Sequence, residues 1–275
     1  MDALYQPFPI LGASRGYIWH HVPATRRPRH FHAEPELNLI TAGRAMFGMG
    51  EATMAVEAGD LVWWPPGQDH VLLDASPDFD LYVIGLIPEF SERVLGDLAS
   101  SATASAARFR LGGDSLAKFG AMCAAPVDAS ATADVERKVG DFWREAHRLR
   151  MVAHDRHLLT RRTLESVLAR PELKRSALAE VARGNVSEVS RHFHHDLGLT
   201  LTAYRTRLRL LRFIDLVDRG QRFLIAAVEA GFGSYSQCHR VFLQTFGHTP
   251  RLFFRSSIRE EIQNRFDPWP VSLEG

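Results

Sequence analysis

Residues 231–250 read GFGSYSQCHRVFLQTFGHTP, a stretch that must be packed on one side and open on the other. Ala226, Ala227 and Ala230 close a short apolar helix before it, and Gly231 supplies the left-handed residue that a helix C-terminus favours. Phe232 follows as a buried plug. Gly233 or Ser234 then caps a second helix, in which Cys238, Val241 and Phe242 fall at i, i+3 and i+4 and point inward, with Phe246 extending that face. Tyr235, Ser236, His239 and Arg240 are left outside.

A short helix, a glycine turn and a second helix with an aromatic and basic outer face is the helix-turn-helix pattern, whose second helix enters a DNA major groove. An ordinary helical hairpin shares that punctuation, but here a second copy lies upstream. In SALAEVARGNVSEVSRHFHHDLG, residues 176–198, Gly184 stops one helix and Asn185 caps the next, with Glu188 three residues on in a capping-box arrangement. Val189 and Phe193 bury, while Ser187, Ser190, Arg191 and His194 remain outside. Between the two copies Thr200 caps a long helix, LTAYRTRLRLLRFIDLV, with Tyr204, Leu208 and Leu211 inward and Arg205, Arg207, Arg209 and Arg212 along its other sides. A further helix from about His157 to Leu168 is ended by Pro171.

The succession GF, SYSQCHRVF and FGHTPRLFFR, residues 231–255, resembles the C-terminal signature of the AraC/XylS-type transcriptional regulators. That resemblance implies two helix-turn-helix units joined by one rigid helix over about residues 155–255, reading two successive major grooves of double-stranded promoter DNA, with RNA polymerase as a further partner. It implies base-edge contacts at Ser187, Ser190 and Arg191 in the first unit and at Tyr235, Ser236, His239 and Arg240 in the second. Each arginine can donate two hydrogen bonds to guanine O6 and N7, worth about 1–3 kcal/mol of discrimination, or else meet phosphate. The serines are short enough to read DNA through water or to act as a clamp. Tyr235 suits thymine methyls or phosphate, His194 and His195 suit the DNA backbone, and Arg207, as a phosphate contact, would strengthen all sequences alike.

Charge supports a division of labour. Residues 1–154 hold 14 Lys/Arg against 19 Asp/Glu, and residues 155–265 hold 19 against 11, although the whole chain is only +1. The positive half suits a polyanion. Its 275 residues suffice for about two domains. Cys123 and Cys238 sit in apolar helical contexts, as small buried hydrophobes in a reducing compartment. No charged-then-apolar leader and no apolar run of about 20 residues occurs, so the expected location is cytoplasmic, away from membrane.

From about Ile10 to Ile87 short β-rich runs recur at even spacing, separated by glycine, proline and aspartate, as in an antiparallel barrel or sandwich. Two runs carry a constellation: His30-x-His32-x-x-x-Glu36 with Gly43 beyond, then Gly59, Pro65-x-Gly67-x-x-His70. It resembles both motifs of the cupin barrel, departing at Ala24 and Asp74, neither a ligand position. On an extended strand residues i and i+2 share a face, so His30 and His32 point the same way, and Glu36 keeps their parity. Three imidazoles and a carboxylate suit a divalent Zn, Ni, Mn or Fe ion with open positions; the same residues also serve barrel packing and turns. Trp63 and Trp64 belong to core or rim, with one available to line an effector pocket. His20 and His21 alternate sides, and neither reads as a ligand.

Residues 89–131 are rich in alanine and serine, with SSATASAA at 100–107 as an exposed loop. In DVERKVGDFWREAHRLRMV, Val135, Val139, Phe142, Ala146 and Leu149 recur at a coiled-coil-like spacing, which favours a homodimer contact over packing on the barrel's own wall. The expected class is α+β: a cupin-like β-barrel sensor at residues 1–110, a helical linker at 111–154, and an all-α double helix-turn-helix domain at 155–265. The function expected is a non-enzymatic, sequence-specific transcriptional regulator whose barrel senses a small molecule or divalent metal through helices between Ser115 and Val152. The alternative is a metal-dependent cupin enzyme with a vestigial DNA-binding tail.

Overall fold

The computed structural model describes residues 4–7, 16–21, 27–86, 108–125, 132–150 and 157–255; the loop expected at 100–107 and the departure at Ala24 lie outside them. The first half forms β1 (Leu4–Tyr5), β2 (Gly16–His21), β3 (His30–Phe31), β4 (Glu36–Ala42), β5 (Arg44–Met49), β6 (Ala52–Glu57), β7 (Asp60–Trp64), β8 (Val71–Ala75), β9 (Asp80–Leu86) and β10 (Arg108–Arg110). Five strands make a sheet in the order β10-β7-β4-β9-β2 and three make a second in the order β6-β5-β8, with β1 and β3 paired apart. Neighbours within the two larger sheets run antiparallel.

Alternation along the strands assigns each side chain to a layer. Ile40, Val62, Trp64, Leu81 and Val83 fill the space between the sheets with Phe47, Met49 and Met54 from the smaller one. Leu37, Leu39, Leu61, Trp63 and Ile84 point to the opposite face of the large sheet. Two helices cover that face, α1 (Gly113–Ala124) and α2 (Thr132–Arg150). Trp63 meets Trp143 of α2 edge-on with ring centroids 4.9 Å apart. A sheet buried on both faces takes apolar residues at successive positions, as in Leu61–Trp64 of β7, while β4 interrupts its apolar positions with Glu36 and Asn38, which face the pocket.

This packing corrects the reading of the heptad-like stripe. Val139, Phe142 and Ala146 are fully buried in the barrel-side core, so the barrel wall, not a partner helix, takes up these three. The side chains of Val135 and Leu149 lie outside the described residues. Cys123 and Cys238 are free and buried, and burial pushes both thiols up to about 12.

The second half forms α3 (Leu158–Ala169), α4 (Arg175–Ala182), α5 (Val186–Leu197), α6 (Leu201–Asp218), α7 (Phe223–Glu229), α8 (Tyr235–Phe246) and α9 (Pro250–Phe253). The caps follow the sequence: Asn185 and Glu188 form a reciprocal capping box, Thr200 accepts from Ala203 N–H, and Ser234, rather than Gly233, accepts from Gln237 N–H. The stop of α4 differs. Arg183 takes the left-handed conformation at φ 60°, not Gly184, whose N–H closes the turn on Ala179. A Cβ on Gly184 would sit 2.9 Å from the terminal methyl of Leu159, so a larger residue there would require that leucine to shift.

One helix serves both helix-turn-helix cores. Leu201 and Tyr204 of α6 pack with α3, α4 and α5, and Leu210, Phe213 and Ile214 pack with α7 and α8. At 18 residues it is about 27 Å long at 1.5 Å per residue.

The barrel docks directly on this half. Glu51 N–H donates to Gly198 O at 2.9 Å, across the closest backbone approach between the halves. A Cβ on Gly50 would lie 2.2 Å from Gly198 O, and one on Gly198 would lie 2.1 Å from Met49 O; both residues have positive φ. Gly50→Ala therefore adds a clash to left-handed strain of about 1–3 kcal/mol. The expected result is faster hydrogen exchange at Gly67–Asp69 and Tyr204–Leu211 with the cores of both halves still protected. Unchanged exchange there would show that the glycine pair does not hold the junction.

Candidate effector pocket and nucleic-acid interface

The pocket begins with two segments zipped together. His30 N–H donates to His70 O at 3.1 Å, His70 N–H to His30 O at 3.0 Å, and Gly67 N–H to His32 O at 2.9 Å. This pairing sets His30, His32 and His70 around one point, with one ring nitrogen from each within 4.8 Å of the others. Glu36, the first residue of β4, places Oε2 at 3.0 Å from His32 Nε2 and 3.5 Å from His70 Nε2. The four residues singled out by spacing thus stand together, all buried.

The partners of these groups fix their orientation. Each Nδ1 faces a backbone carbonyl: His30 that of Pro28 at 2.9 Å, His32 that of Glu34 at 2.7 Å and His70 that of Gln68 at 3.4 Å. A carbonyl only accepts, so each Nδ1 carries a proton and each Nε2 is turned toward the cluster. Asn38 Nδ2 donates to Glu36 Oε1 at 2.6 Å, and Trp64 Nε1 donates to Asn38 Oδ1 at 2.7 Å. Trp64 also stacks on His70, centroids 4.8 Å apart and planes 13° from parallel. Held imidazoles with a bonded carboxylate are the supporting shell that metal ligands use, so these residues fit a divalent ion.

Electrostatics divides the imidazoles. Burial, then the neighbouring His70 and His32, hold His30 well below its usual range. Burial also pulls on His32, but its hydrogen bond to Glu36 and that carboxylate's charge outweigh it and raise the pKa. Burial alone would raise Glu36, yet the His70 charge and the His32 bond hold it well below the carboxylate range. Two further residues line the cavity, and spacing did not single them out as site residues. His21, on the inner side of β2, is lowered to about 4 by burial and then by Arg27; Arg27 is lowered to about 10 by burial. The one available signal was parity, since His21 shares the inward register of Trp19. Trp19, Phe47, Leu72, Leu81 and Val83 form the apolar wall.

The neighbours of the clustered histidines face the other way, onto α6. Phe31, fully buried, packs on Leu211 and lies 5.0 Å below the Arg207 guanidinium. Asp69 accepts from Arg29 at 2.7 Å, Arg207 at 2.6 Å and Gly50 N–H at 2.9 Å. Tyr204 Oη donates to Pro66 O at 2.8 Å, and Gln68 Nε2 to Leu197 O at 3.1 Å. The pocket segment therefore meets the helical half in a direct contact, in addition to the helices after Ser115 through which coupling was expected. Arg207 is thereby removed from the phosphate contacts, and Arg205 is likewise occupied with Pro171 O and Leu173 O at 2.9 and 2.6 Å.

On the DNA side Ser187, Arg191, Ser236 and Arg240 are exposed at the recognition helices α5 and α8. Ser190 is partly covered and accepts from Arg175 at 3.2 Å. Tyr235 stacks on Phe223 and meets His239 edge-on, leaving both half-buried on the same turn. His194 sits apart, 3.4 Å from Glu51 of the barrel; this contact competes with the backbone role expected of it.

A β-barrel whose pocket sets a histidine and carboxylate cluster against an apolar wall, docked on a helix that carries two helix-turn-helix units, defines a ligand-responsive DNA-binding protein. Residues 11–138 match the AraC-like ligand binding domain and residues 178–256 match a helix-turn-helix domain. The chain belongs to the AraC family of transcriptional regulators, with a cupin-like ligand-binding domain followed by the family's DNA-binding domain. Among solved structures it is similar to ToxT from Vibrio cholerae, at 11% identity over 87% of this chain and 96% of that one with a TM-score of 0.42. It is similar to the unsaturated fatty acid-bound form of wild-type ToxT at 13% identity over 88% and 95%, TM-score 0.41. A Cupin 2 conserved barrel domain protein from Salinispora arenicola matches at 28% identity over 30% of this chain and 70% of that one, TM-score 0.24. No curated protein matches the sequence significantly. Among the described residues no helix is long and apolar enough to cross a membrane.

Because Arg207 is committed to Asp69, Arg207→Ala should leave the slope of log affinity against log salt for DNA unchanged, whereas loss of a phosphate contact lowers it by about one. It should also destabilise the protein by about 1–3 kcal/mol, since Asp69 keeps Arg29 and Gly50 N–H but loses one charged partner. A shallower salt slope would return Arg207 to the DNA interface.

Proposed function

We propose that this regulator reads promoter DNA through Ser187, Ser190, Arg191, Tyr235, Ser236, His239 and Arg240, and that its barrel senses a divalent metal held by His30, His32, His70 and Glu36. The observation that carries the metal reading is the convergence of the three imidazoles, each Nδ1 on a carbonyl, one ring nitrogen from each within 4.8 Å of the others, and the Nε2 atoms of His32 and His70 beside the Glu36 carboxylate. A bound Zn, Ni, Mn or Fe ion would supply positive charge and open coordination positions there. The barrel binds and reports instead of catalysing turnover, because its ligand strands are built into the contact with α6. His30, His32, His70 and Glu36 would hold the ion, while Asn38 and Trp64 keep the carboxylate turned inward.

Transmission follows from parity. His30 and His32 face the pocket, and Phe31 between them faces α6; His70 faces the pocket, and Asp69 before it binds Arg207. A change in the pocket is passed to the helix that carries both reading units. We extend the reading to a homodimer acting beside RNA polymerase in the cytoplasm; a dimer contact would use surfaces other than the part of the α2 stripe taken by the barrel.

Two measurements test the proposal. Elemental analysis of chelator-free protein should give near one divalent ion per chain, lost in a folded His30→Ala/His32→Ala variant; no metal in either removes the metal reading. For the DNA surface, Arg240→Ala should weaken operator binding about 10-fold or more, from about 1–3 kcal/mol of lost guanine recognition, with a much smaller loss on random DNA. Equal losses on both would place Arg240 on phosphate.

A further inference from the structure

The hydroxyl of Ser190 on recognition helix α5 is already in use, because Arg175 Nη2 donates to its Oγ at 3.2 Å. Arg175 is the first residue of α4 and is exposed, so its side chain reaches from one helix of the unit to the other. The turn that leads into α4 is tied to α6, where Arg205 donates to Pro171 O at 2.9 Å and to Leu173 O at 2.6 Å. Arg175 thus starts from a fixed backbone and ends on a fixed acceptor. Burial first, then the charges of Arg209 and Arg175, lowers the Arg205 pKa against the pull of Glu172. Guanidinium groups gathered this closely repel one another, and an anion placed among them relieves that repulsion.

The second unit is built differently at the same place. Buried Ala179 and Ala182 correspond to Ala227 and Ala230, and buried Val189 and Phe193 correspond to Cys238 and Phe242. The left-handed residues Arg183 and Gly231 correspond as well. On this match Phe223 stands where Arg175 does, and His239 where Ser190 does. Tyr235 joins those two by ring contacts, stacked on Phe223 and edge-on to His239. Aromatic packing therefore replaces the arginine fork in the second unit.

We infer that Arg175 grips a phosphodiester of the DNA backbone beside the groove that α5 enters, with Ser190 as the positioning residue that aims it. This rests on the DNA reading above and gives Ser190 its part in that reading. In helix-turn-helix docking the first helix of the unit crosses the sugar-phosphate backbone while the second lies in the groove, which brings the start of α4 to phosphate. An arginine presents paired N–H donors to phosphate oxygens. The serine hydroxyl accepts from Arg175 and keeps its own proton to donate to the same phosphate. Such a contact fixes register and carries no sequence information of its own.

The test compares two probes, a duplex enriched from a random pool on the wild-type protein and the unselected pool, each titrated over a range of salt. Arg175→Gln should weaken both by the same factor, about 10-fold for a lost charged hydrogen bond, and lower the slope of log affinity against log salt by about one. Arg175→Lys, which keeps the charge, should restore the slope without restoring the full affinity. Ser190→Ala should cause a smaller loss, equal on both probes, that disappears in the Arg175→Gln background. Ser190→Thr, which keeps the hydroxyl, should bind as wild type does. An unchanged slope in Arg175→Gln, a loss confined to the enriched duplex, or a Ser190→Ala loss that adds in full to Arg175→Gln overturns the inference and leaves the DNA reading standing. Wild-type protein that enriches no duplex and binds neither probe removes the DNA reading itself, an outcome distinct from any behaviour of the variants.

Discussion

The contact on which the two halves depend is the buried carboxylate of Asp69. Its side chain is 1% exposed and holds Arg29 on one side and Arg207 on the other, with Gly50 N–H as a third donor. Burial alone would push Asp69 up, but Arg207 first, then Arg29 and the Gly50 amide, hold it below the usual carboxylate range. Its folded-state pKa is lowered, so its contribution is fully present above the unfolded value of about 3.9 and is lost only as pH falls through the folded value. Near neutral pH the ion pair is therefore constant, and the junction responds to geometry rather than to protonation of this group. Removing either arginine leaves a partly paired buried charge, which is the costly way to break such a cluster.

That constancy gives the pocket its leverage. Asp69 adjoins His70, and Arg29 adjoins His30, so both sides of the ion cluster are anchored one residue from the imidazoles. Strand alternation sends the histidines inward and Phe31 outward, so one β-segment is shared by pocket and junction. Short β3 and the turn at Gly67 have little freedom to absorb a change, because their backbones are paired to each other. Packed interfaces of this kind shift between arrangements instead of deforming smoothly.

Much of this was legible in the chain. The caps at Asn185, Thr200 and Ser234 are local chemistry, each side chain lying three residues from the amide it serves, so sequence spacing suffices. The histidine constellation was legible for the same reason, since period two is a property of any strand. What spacing does not carry is the identity of the neighbour. The stripe at Val139, Phe142 and Ala146 announces a buried face without saying what buries it, and the large sheet claimed those positions. Arg207 looked like a DNA contact because a long basic side chain on a basic helix is ambiguous until a buried acid is placed beside it. Arg27 and His21 line the cavity from just before the clustered histidines, where no spacing marked them, and Arg183 rather than Gly184 takes the left-handed turn at the end of α4.

The division of α6 explains how one docking contact can matter to two reading heads. Its N-terminal residues complete the core under α5, its C-terminal residues complete the core under α8, and between them Arg207 and Leu211 meet the barrel. Tyr204 belongs to the first core by its ring and to the barrel contact by its hydroxyl. A displacement of the barrel thus acts at the middle of a continuous helix, while the exposed Arg191 and Arg240 lie on helices fixed to either end of it. Recognition of two successive grooves demands one spacing and one relative rotation of those helices. On the proposed function the barrel would not need to cover Arg191 and Arg240 to influence them; holding α6, to which both cores are fixed, would suffice.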